Sequence, residues 1–177
     1  MNKLGNSKKL SESEVKDYLK EYSRIISELG SEDNRVLRTG NNPIGDYGEW
    51  LVAKKLNLEL YPSSEKSFDA YSGKLKYQIK SRQRRILPDK KGNRNLSRQL
   101  GVIRNYDEAD VENKYLIALF FESDFSILEG YKISYRYLRE IGEYNEHQNG
   151  LIINLSNKKI KKWMEKGQIE DITEKLK

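Results

Sequence analysis

The sequence predicts a single α/β domain in which helices flank a mixed central β-sheet. Two helical segments come first, three short strand-like runs follow them, and one almost wholly apolar run, KYLIALFFES, lies further along the chain. A length of 177 residues is sufficient for one compact core. We therefore predict one domain over residues 1–177, with an N-terminal helical extension at about 10–30, a core at about 42–122 and a C-terminal α/β elaboration at about 123–177.

The first two predicted elements are helices. The first opens with Ser11 and Glu14 at capping-box spacing, repeats apolar residues at helical intervals and stops at Gly30. The second, NNPIGDYGEWLVAKKLNL, begins with an Asn-Pro pair that suits the N-cap and the first helical position. Both segments are therefore expected to be amphipathic helices.

The remaining elements follow from shorter patterns. LELYP, SFDAY and LKYQIKS read as three strands of a meander, with YSGK as the turn between the last two. KYLIALFFES predicts a central strand that is covered on both faces. After it we expect a strand in FSILEGYKIS, a short helix in ISYRYLREIGE, a strand in GLIINLS, a helix in NKKIKKWMEKG and a charged tail, DITEKLK.

Composition excludes several kinds of site. The chain has no cysteine and a single histidine, His147, so disulfides, thiolate zinc sites, imidazole clusters and the usual serine or cysteine triads are excluded. Any metal site must use oxygen ligands. No apolar run resembles a signal peptide or a membrane span, and this absence leads us to expect a soluble, cytoplasmic protein without a membrane partner.

Positive charge is concentrated in one part of the chain. Residues 74–104 contain eleven Lys and Arg against one Asp, so this segment carries +10 and the rest −4 of a net +6. Such a distribution indicates a surface that binds the phosphate backbone of a nucleic acid. A run of charged residues is also compatible with a protein surface that faces solvent and binds no partner. The expected nucleic-acid contacts are Arg82, Arg84, Arg85, Lys90, Lys91 and Arg94. The polar segment between residues 84 and 112 is either a functional loop or partly mobile.

A chemically specific pattern occurs in YQIKS. Gln78 and Lys80 are two apart on a predicted strand, so both project from one face about 7 Å apart, and the carbonyl of Ile79 is available to a cation. Asp69, on the preceding strand, is placed to join them. Carboxylate, amide and carbonyl oxygens suit hydrated magnesium, and Lys80 is placed to position or deprotonate a water for attack on phosphorus. The competing interpretation is a solvent-facing polar edge beside an acid that flanks a turn.

A carboxylate on the second helix adds to this pattern. Glu49 shares helical spacing with Val52, Ala53 and Leu56, so it lies on the apolar stripe. A carboxylate that faces the protein interior needs a partner or a cation. Asp46 lies one turn earlier on the same side. A role in the site and a purely helix-stabilising role, as an acid in the first helical turn, are equally compatible with its position.

Together these motifs resemble the PD-(D/E)XK nuclease superfamily. GDYGEWLVAKKL, SFDAY and YQIKSR look like its successive helix and strand motifs, with Phe68 in place of the nominal proline and Gln78 in place of the acid, as in Mrr-like members. The resemblance covers roughly residues 42–122. It implies a restriction-endonuclease-like core of order αβββαβ, with Glu49, Asp69, Gln78 and Lys80 as catalytic residues.

The resemblance also implies a cofactor and a substrate. Magnesium, or manganese as a substitute, is expected on Asp69, Gln78 and the Ile79 carbonyl, with Glu49 acting through water. The expected activity is hydrolysis of DNA phosphodiester bonds, with RNA left open, by a homodimer that cuts both strands. The alternative is a nucleic-acid-binding protein that keeps the nuclease fold with weak or no catalysis, because Gln78 supplies no charge.

Overall fold

A computed structural model of the chain describes residues 10–31, 35–38, 42–62, 67–104 and 106–177. In these ranges the helices are α1 (Glu12–Leu29), α2 (Pro43–Leu56), α3 (Leu138–Ile141), α4 (Asn157–Glu165) and α5 (Thr173–Leu176). The strands are β1 (Glu59–Leu60), β2 (Ala70–Ser72), β3 (Leu75–Gln83), β4 (Ile103–Arg104), β5 (Lys114–Phe121), β6 (Ile127–Ser134), β7 (Glu143–Asn145), β8 (Gly150–Ile152) and β9 (Ile169–Asp171). A 3₁₀ turn, Tyr135–Tyr137, leads into α3.

The central sheet is mixed, as the sequence predicts. Its six strands lie in the order β1-β2-β3-β5-β6-β9, and only β3 and β5 run parallel. The predicted meander is confirmed as the antiparallel run β1-β2-β3. Residues 116–121 of β5 are fully buried, which confirms the expectation drawn from their continuous apolar character.

Helices cover both faces of this sheet. On one face α2 and α5 pack against the odd-numbered residues of β3 and β5, including Ile79 and Ile117. On the other face α3, α4 and a second sheet, of order β4-β8-β7, pack against Leu116, Ala118 and Phe120. GLIINLS therefore forms a strand, as predicted, but β8 belongs to the second sheet.

Helix α2 begins and packs in a way that its sequence explains. The Asn42 side chain accepts a hydrogen bond from the Gly45 amide at 3.2 Å, and Pro43 occupies the first turn. At Gly48 the helix comes so close to β3 that a Cβ there would lie 1.9 Å from Ser81 Oγ. The missing side chain therefore permits the close approach between α2 and β3.

The connection between β3 and β5 differs from the expected αβββαβ order. Its described residues contain no helix, so the helix expected after the third strand is absent from them. Instead, Leu100 and Ile103 are buried, and the Leu100 amide donates to the Ile153 carbonyl at 2.8 Å. The second half of this basic segment is thus anchored in the core next to the second sheet.

Helix α1 forms where predicted, but its apolar stripe does not join the core. The Ser11 amide donates to the Glu14 carboxylate at 2.8 Å, and the Glu14 amide donates to Ser11 Oγ at 3.3 Å, which completes the capping box. No residue of α1 is buried, and Tyr18, Leu19 and Tyr22 are more than half exposed. Amphipathic periodicity identified the helix but not what covers it.

The C-terminal segment forms regular secondary structure and contributes to the core, although its charge suggested an exposed tail. We expected a short charged tail, whereas β9 pairs with β6 and α5 follows it directly. Ile172 and Leu176 are buried against the α2 face of the sheet. These two apolar residues outweigh the surrounding charges because they complete the core. None of the helices in the described ranges is both long enough and apolar enough to cross a membrane.

Candidate functional site

The strands β2 and β3 bring Asp69 and Gln78 into direct contact. Asp69 immediately precedes β2, and its amide donates to the Tyr77 carbonyl at 2.9 Å. Its Oδ2 accepts two hydrogen bonds, from Gln78 Nε2 at 2.5 Å and from the Ile79 amide at 2.6 Å. Within the described residues Oδ1 accepts none. One oxygen therefore fixes the carboxylate, and the other remains available to a ligand.

Beyond Asp69 the β2 side of β3 is open. Strand β2 pairs with residues 75–77 of β3 only. The Lys76 amide donates to the Asn113 carbonyl, on the β5 side, whereas the Ile79 amide donates to Asp69, on the β2 side. Because the N–H and C=O of one strand residue point to the same side, the Ile79 carbonyl also points to the β2 side. No described strand pairs with it there.

Gln78 and Lys80 share a face, as the strand alternation predicts. Their register partners on β5 are Leu116 and Ala118, which face away from α2. Lys80 is half-buried, and its ammonium makes no hydrogen bond or ion pair with any residue that the structure describes. Gln78 has a contact that the sequence did not predict, because its amide nitrogen donates to Asp69; its amide oxygen, the atom predicted to bind a metal, is not used in this hydrogen bond.

Glu49 is held by an arginine that sequence reasoning missed. Arg38 donates to Glu49 Oε2 at 2.5 Å and to the Tyr61 carbonyl at 2.6 Å. The Arg38 and Glu49 side chains are only 14% and 19% exposed. The Tyr61 amide in turn donates to the Asp69 carbonyl at 3.0 Å. Arg38 therefore ties the α2 carboxylate to the strand segment that carries Asp69.

The only sequence signal for Arg38 was indirect. A carboxylate on the buried stripe of α2 requires a cation, but nothing in the pattern says which of the chain's 33 Lys and Arg supplies it. Arg38 lies in an irregular segment whose following residues, 39–41, fall outside the described ranges.

The two carboxylates influence each other electrostatically. Burial and the negative charge of Asp69 raise the pKa of Glu49 to about 7, although the Arg38 guanidinium opposes this shift. Burial also raises the pKa of Asp69, and the Ile79 amide and the charge of Lys80 oppose that shift. Asp46, on the same helix, is buried and adds to the negative potential at Glu49. A cation bound here would relieve this repulsion.

The donor set fits magnesium better than a metal that needs an all-protein cage. No group of three or more His, Cys, Asp or Glu gathers around one point among the described residues. Asp69 Oδ1, the Ile79 carbonyl and Glu49 offer hard oxygen donors, two of them carboxylates. Magnesium is commonly bound through one or two carboxylates, with waters and substrate phosphates completing the octahedron.

The predicted nucleic-acid contacts fall into two groups. Arg84 is committed to Glu122, with donor to acceptor distances of 2.7 and 3.2 Å, and Arg82 Nε donates to the Gln99 carbonyl at 2.9 Å. The other four side chains are exposed and form no ion pair with described residues: Arg85, Lys90, Lys91 and Arg94. The four side chains of the second group are therefore more available to bind a polyanion than Arg82 and Arg84.

His147 lies in an exposed turn, in keeping with its exclusion from the site.

Comparisons with known proteins do not assign the chain to a family. No family model matches it, and the search of curated proteins finds no significant match. The function of the cluster formed by Glu49, Asp69, Gln78 and Lys80 must therefore be argued from its chemistry.

Proposed function

We propose that this chain is a magnesium-dependent endonuclease that hydrolyses DNA phosphodiester bonds. The observation that carries the proposal is the Asp69 carboxylate: Gln78 and the Ile79 amide fix one oxygen, the other oxygen is unbonded among described residues, and Lys80 lies close enough to lower its pKa. An acid oriented in this way, beside an ammonium that has no ion-pair partner in the described ranges, suits phosphoryl chemistry better than a structural ion pair does.

Each side chain has a stated role in this proposal. Asp69 and the Ile79 carbonyl would hold magnesium, with the Gln78 amide oxygen as a further ligand and Glu49 acting through a water. Bound magnesium supplies Lewis-acid stabilisation of charge on the phosphoryl oxygens. Lys80 orients the attacking water as an ammonium or, as a neutral amine, takes its proton. A new P–O bond forms from water as a backbone P–O bond breaks, which leaves a phosphomonoester and a hydroxyl.

The element order gives partial support for a restriction-endonuclease-like core. The run α2-β1-β2-β3 agrees with the first four elements of αβββαβ, and the next strand of the central sheet, β5, is parallel to β3. The connection from β3 to β5 departs from that order, because it passes through β4. We therefore rest the proposal on the site.

The second candidate is a binding protein that keeps this fold without efficient catalysis. Gln78 favours it, because an amide adds no charge for a metal and its nitrogen is engaged with Asp69.

A cleavage assay separates the two candidates. Supercoiled plasmid and single-stranded DNA, with an RNA strand as a third substrate, are incubated with magnesium, manganese or EDTA. We expect nicks or breaks with either metal and none with EDTA. Binding without cleavage under every metal condition would favour the second candidate.

Cleavage of both strands of a duplex by one site per chain calls for a two-fold pair, so we propose a homodimer. The apolar face of α1 is the surface that we assign to this contact. Val15, Tyr18, Tyr22 and Ile25 follow alternating spacings of three and four residues, and all four are exposed. Light scattering of the parent and of a Tyr18→Glu, Tyr22→Glu variant measures the mass. If the variant is still a dimer, the contact between the two copies does not involve this face of α1.

A further inference from the structure

A polar cavity of about 350 Å³ lies beside the candidate site and is not part of the proposed chemistry. Phe68 and Tyr135 line it, and Phe68 is the residue immediately before Asp69. Its charged lining consists of Lys76, Arg104, Lys114, Asp107 and Asp110. The cavity therefore combines aromatic walls with a small excess of positive charge.

Two of these cations are neighbours in the sheet. Lys76 and Lys114 are register partners on the parallel strands β3 and β5. Their ammonium groups lie 5.8 and 5.5 Å from the centre of the Phe68 ring. Like charges in such adjacent positions are unfavourable unless an anion lies between or beside them.

The described part of the chain supplies only part of that negative charge. Lys114 pairs with the Asp110 carboxylate and donates to the Asp110 carbonyl at 2.8 Å. Lys76 and Arg104 are exposed, and neither forms an ion pair or a side-chain hydrogen bond with a described residue. These two cations on the cavity lining therefore have no carboxylate in ion-pair contact among the described residues, and only the more distant charge of Asp110 acts on Lys76.

Tyr135, a mostly buried residue, supplies a hydroxyl at the same place. The residue is only 4% exposed, yet its hydroxyl makes no hydrogen bond with any described residue. Burial and the charge of Asp69 raise the pKa of Tyr135, so the hydroxyl keeps its proton. Because the hydroxyl oxygen is not one of the fully buried atoms that lack a partner, it is accessible and can donate to an anionic oxygen in the cavity.

We propose that this cavity binds a phosphate group of the nucleic-acid strand next to the scissile one, an inference that rests on the proposed nuclease function. Lys76, Arg104 and the Tyr135 hydroxyl donate to the phosphate oxygens. Lys76 precedes Gln78 by two residues on the same face of β3, so about 7 Å separates them, a separation of the order of one nucleotide step. Asp107 and Asp110 weaken attraction to anions in general, and Asp110 keeps Lys114 neutralised.

The test measures binding without cleavage. A fluorescent single-stranded oligonucleotide is titrated with parent protein in EDTA over a series of salt concentrations, once with a 5′-phosphate and once with a 5′-hydroxyl. Lys76→Gln and Arg104→Gln should each weaken binding about tenfold and reduce the slope of log K against log salt by about one. Tyr135→Phe, which keeps the ring, should weaken binding without reducing the slope. Lys74→Gln, an exposed lysine outside the cavity lining, is the matched control.

The oligonucleotide pair identifies the source of the phosphate. Equal losses with both oligonucleotides indicate an internal phosphodiester, and losses confined to the 5′-phosphorylated one indicate a terminal phosphomonoester; either result supports the site. Lys76→Gln and Arg104→Gln variants that bind like Lys74→Gln would overturn it, even if the parent cleaves DNA. Conversely, weakened binding in a protein that never cleaves would keep the phosphate site and reject the enzyme.

Discussion

Arg38 contacts Glu49 at 2.5 Å and joins the α2 carboxylate to the Tyr61 carbonyl, two elements that no local pattern links. Both side chains are mostly buried, so each requires the other. We expect Arg38→Ala to lower the free energy of unfolding by about 1–3 kcal/mol, because it leaves a buried carboxylate without its partner. Urea denaturation at neutral pH measures this change.

A double-mutant cycle isolates the Arg38–Glu49 contact. Glu49→Gln removes the charge that Arg38 neutralises, so the combined variant should be less destabilised than the sum of the single variants. Arg24→Ala serves as the control, since its ion pairs with Glu21 and Glu28 are on the exposed surface of α1 and should matter little. Strict additivity of Arg38→Ala and Glu49→Gln would show that the contact is energetically unimportant.

The stability of the protein should fall as pH rises toward neutrality because of Glu49. Its pKa in the folded protein is about 7, above the ordinary value of 4.5, so between these pH values the folded chain binds more protons than the unfolded chain. This contribution to stability is fully present below about pH 4.5 and is lost as pH rises through about 7. Glu49→Gln should flatten that decline, although the raised pKa of Asp69 leaves a remainder of the same sign.

Urea denaturation of the parent and of Glu49→Gln at several pH values measures this difference. A gap between the two proteins that does not change with pH would contradict the assignment. In the parent, cleavage with magnesium should increase as pH rises through about 7, because a carboxylate must be ionised to help hold a cation.

Asp69→Ala and Lys80→Ala should abolish cleavage and leave DNA binding largely intact. Asp69 anchors the metal and Lys80 acts on the water, and neither lies in the exposed basic group. Asp69→Asn is the milder change, because an amide keeps an oxygen but loses the charge. Plasmid cleavage and binding in EDTA are measured side by side, with Asp171→Ala on the edge strand β9 as control. If either alanine variant cuts as fast as the parent, the site is wrong.

The exposed basic side chains should account for much of the salt dependence of DNA binding. Changing Arg85, Lys90, Lys91 and Arg94 together to Gln should reduce the salt slope by several counterions, because each neutralised phosphate releases cations. Arg84→Gln is the contrasting variant, since its ion pair with Glu122 makes it structural: it should lower stability and change the slope little. Equal slopes for the parent and the fourfold variant would place the binding surface elsewhere.

Gly48→Ala should destabilise the protein even though alanine favours helices. The added Cβ would lie 1.9 Å from Ser81 Oγ and 2.9 Å from Ser81 Cβ, and such overpacking costs about 1–3 kcal/mol. Ser81→Ala alone should be neutral or stabilising, because the Ser81 hydroxyl is buried without a hydrogen-bond partner among described residues. The double variant should recover part of the loss in urea denaturation. A stable Gly48→Ala protein would mean that α2 can move away from β3.

Local patterns in the sequence determined most of the elements and the central geometry of the site. Capping residues set the starts of α1 and α2, and the alternation in LKYQIKS placed Gln78 and Lys80 on one face, because these features depend on neighbours within a few residues. The apolar run KYLIALFFES identified the central strand for the same reason.

Tertiary structure decided what these elements contact. Arg38 reaches Glu49, the charged tail contributes Leu176 to the core, and most of the apolar stripe of α1 is exposed. Each of these outcomes depends on contacts between segments that are far apart in the chain. The free energy gained by burying a side chain depends on the surface that covers it, and the periodicity of a single segment does not specify that surface. The same holds for Tyr135, which comes near Asp69 because the turn after β6 packs against Phe68.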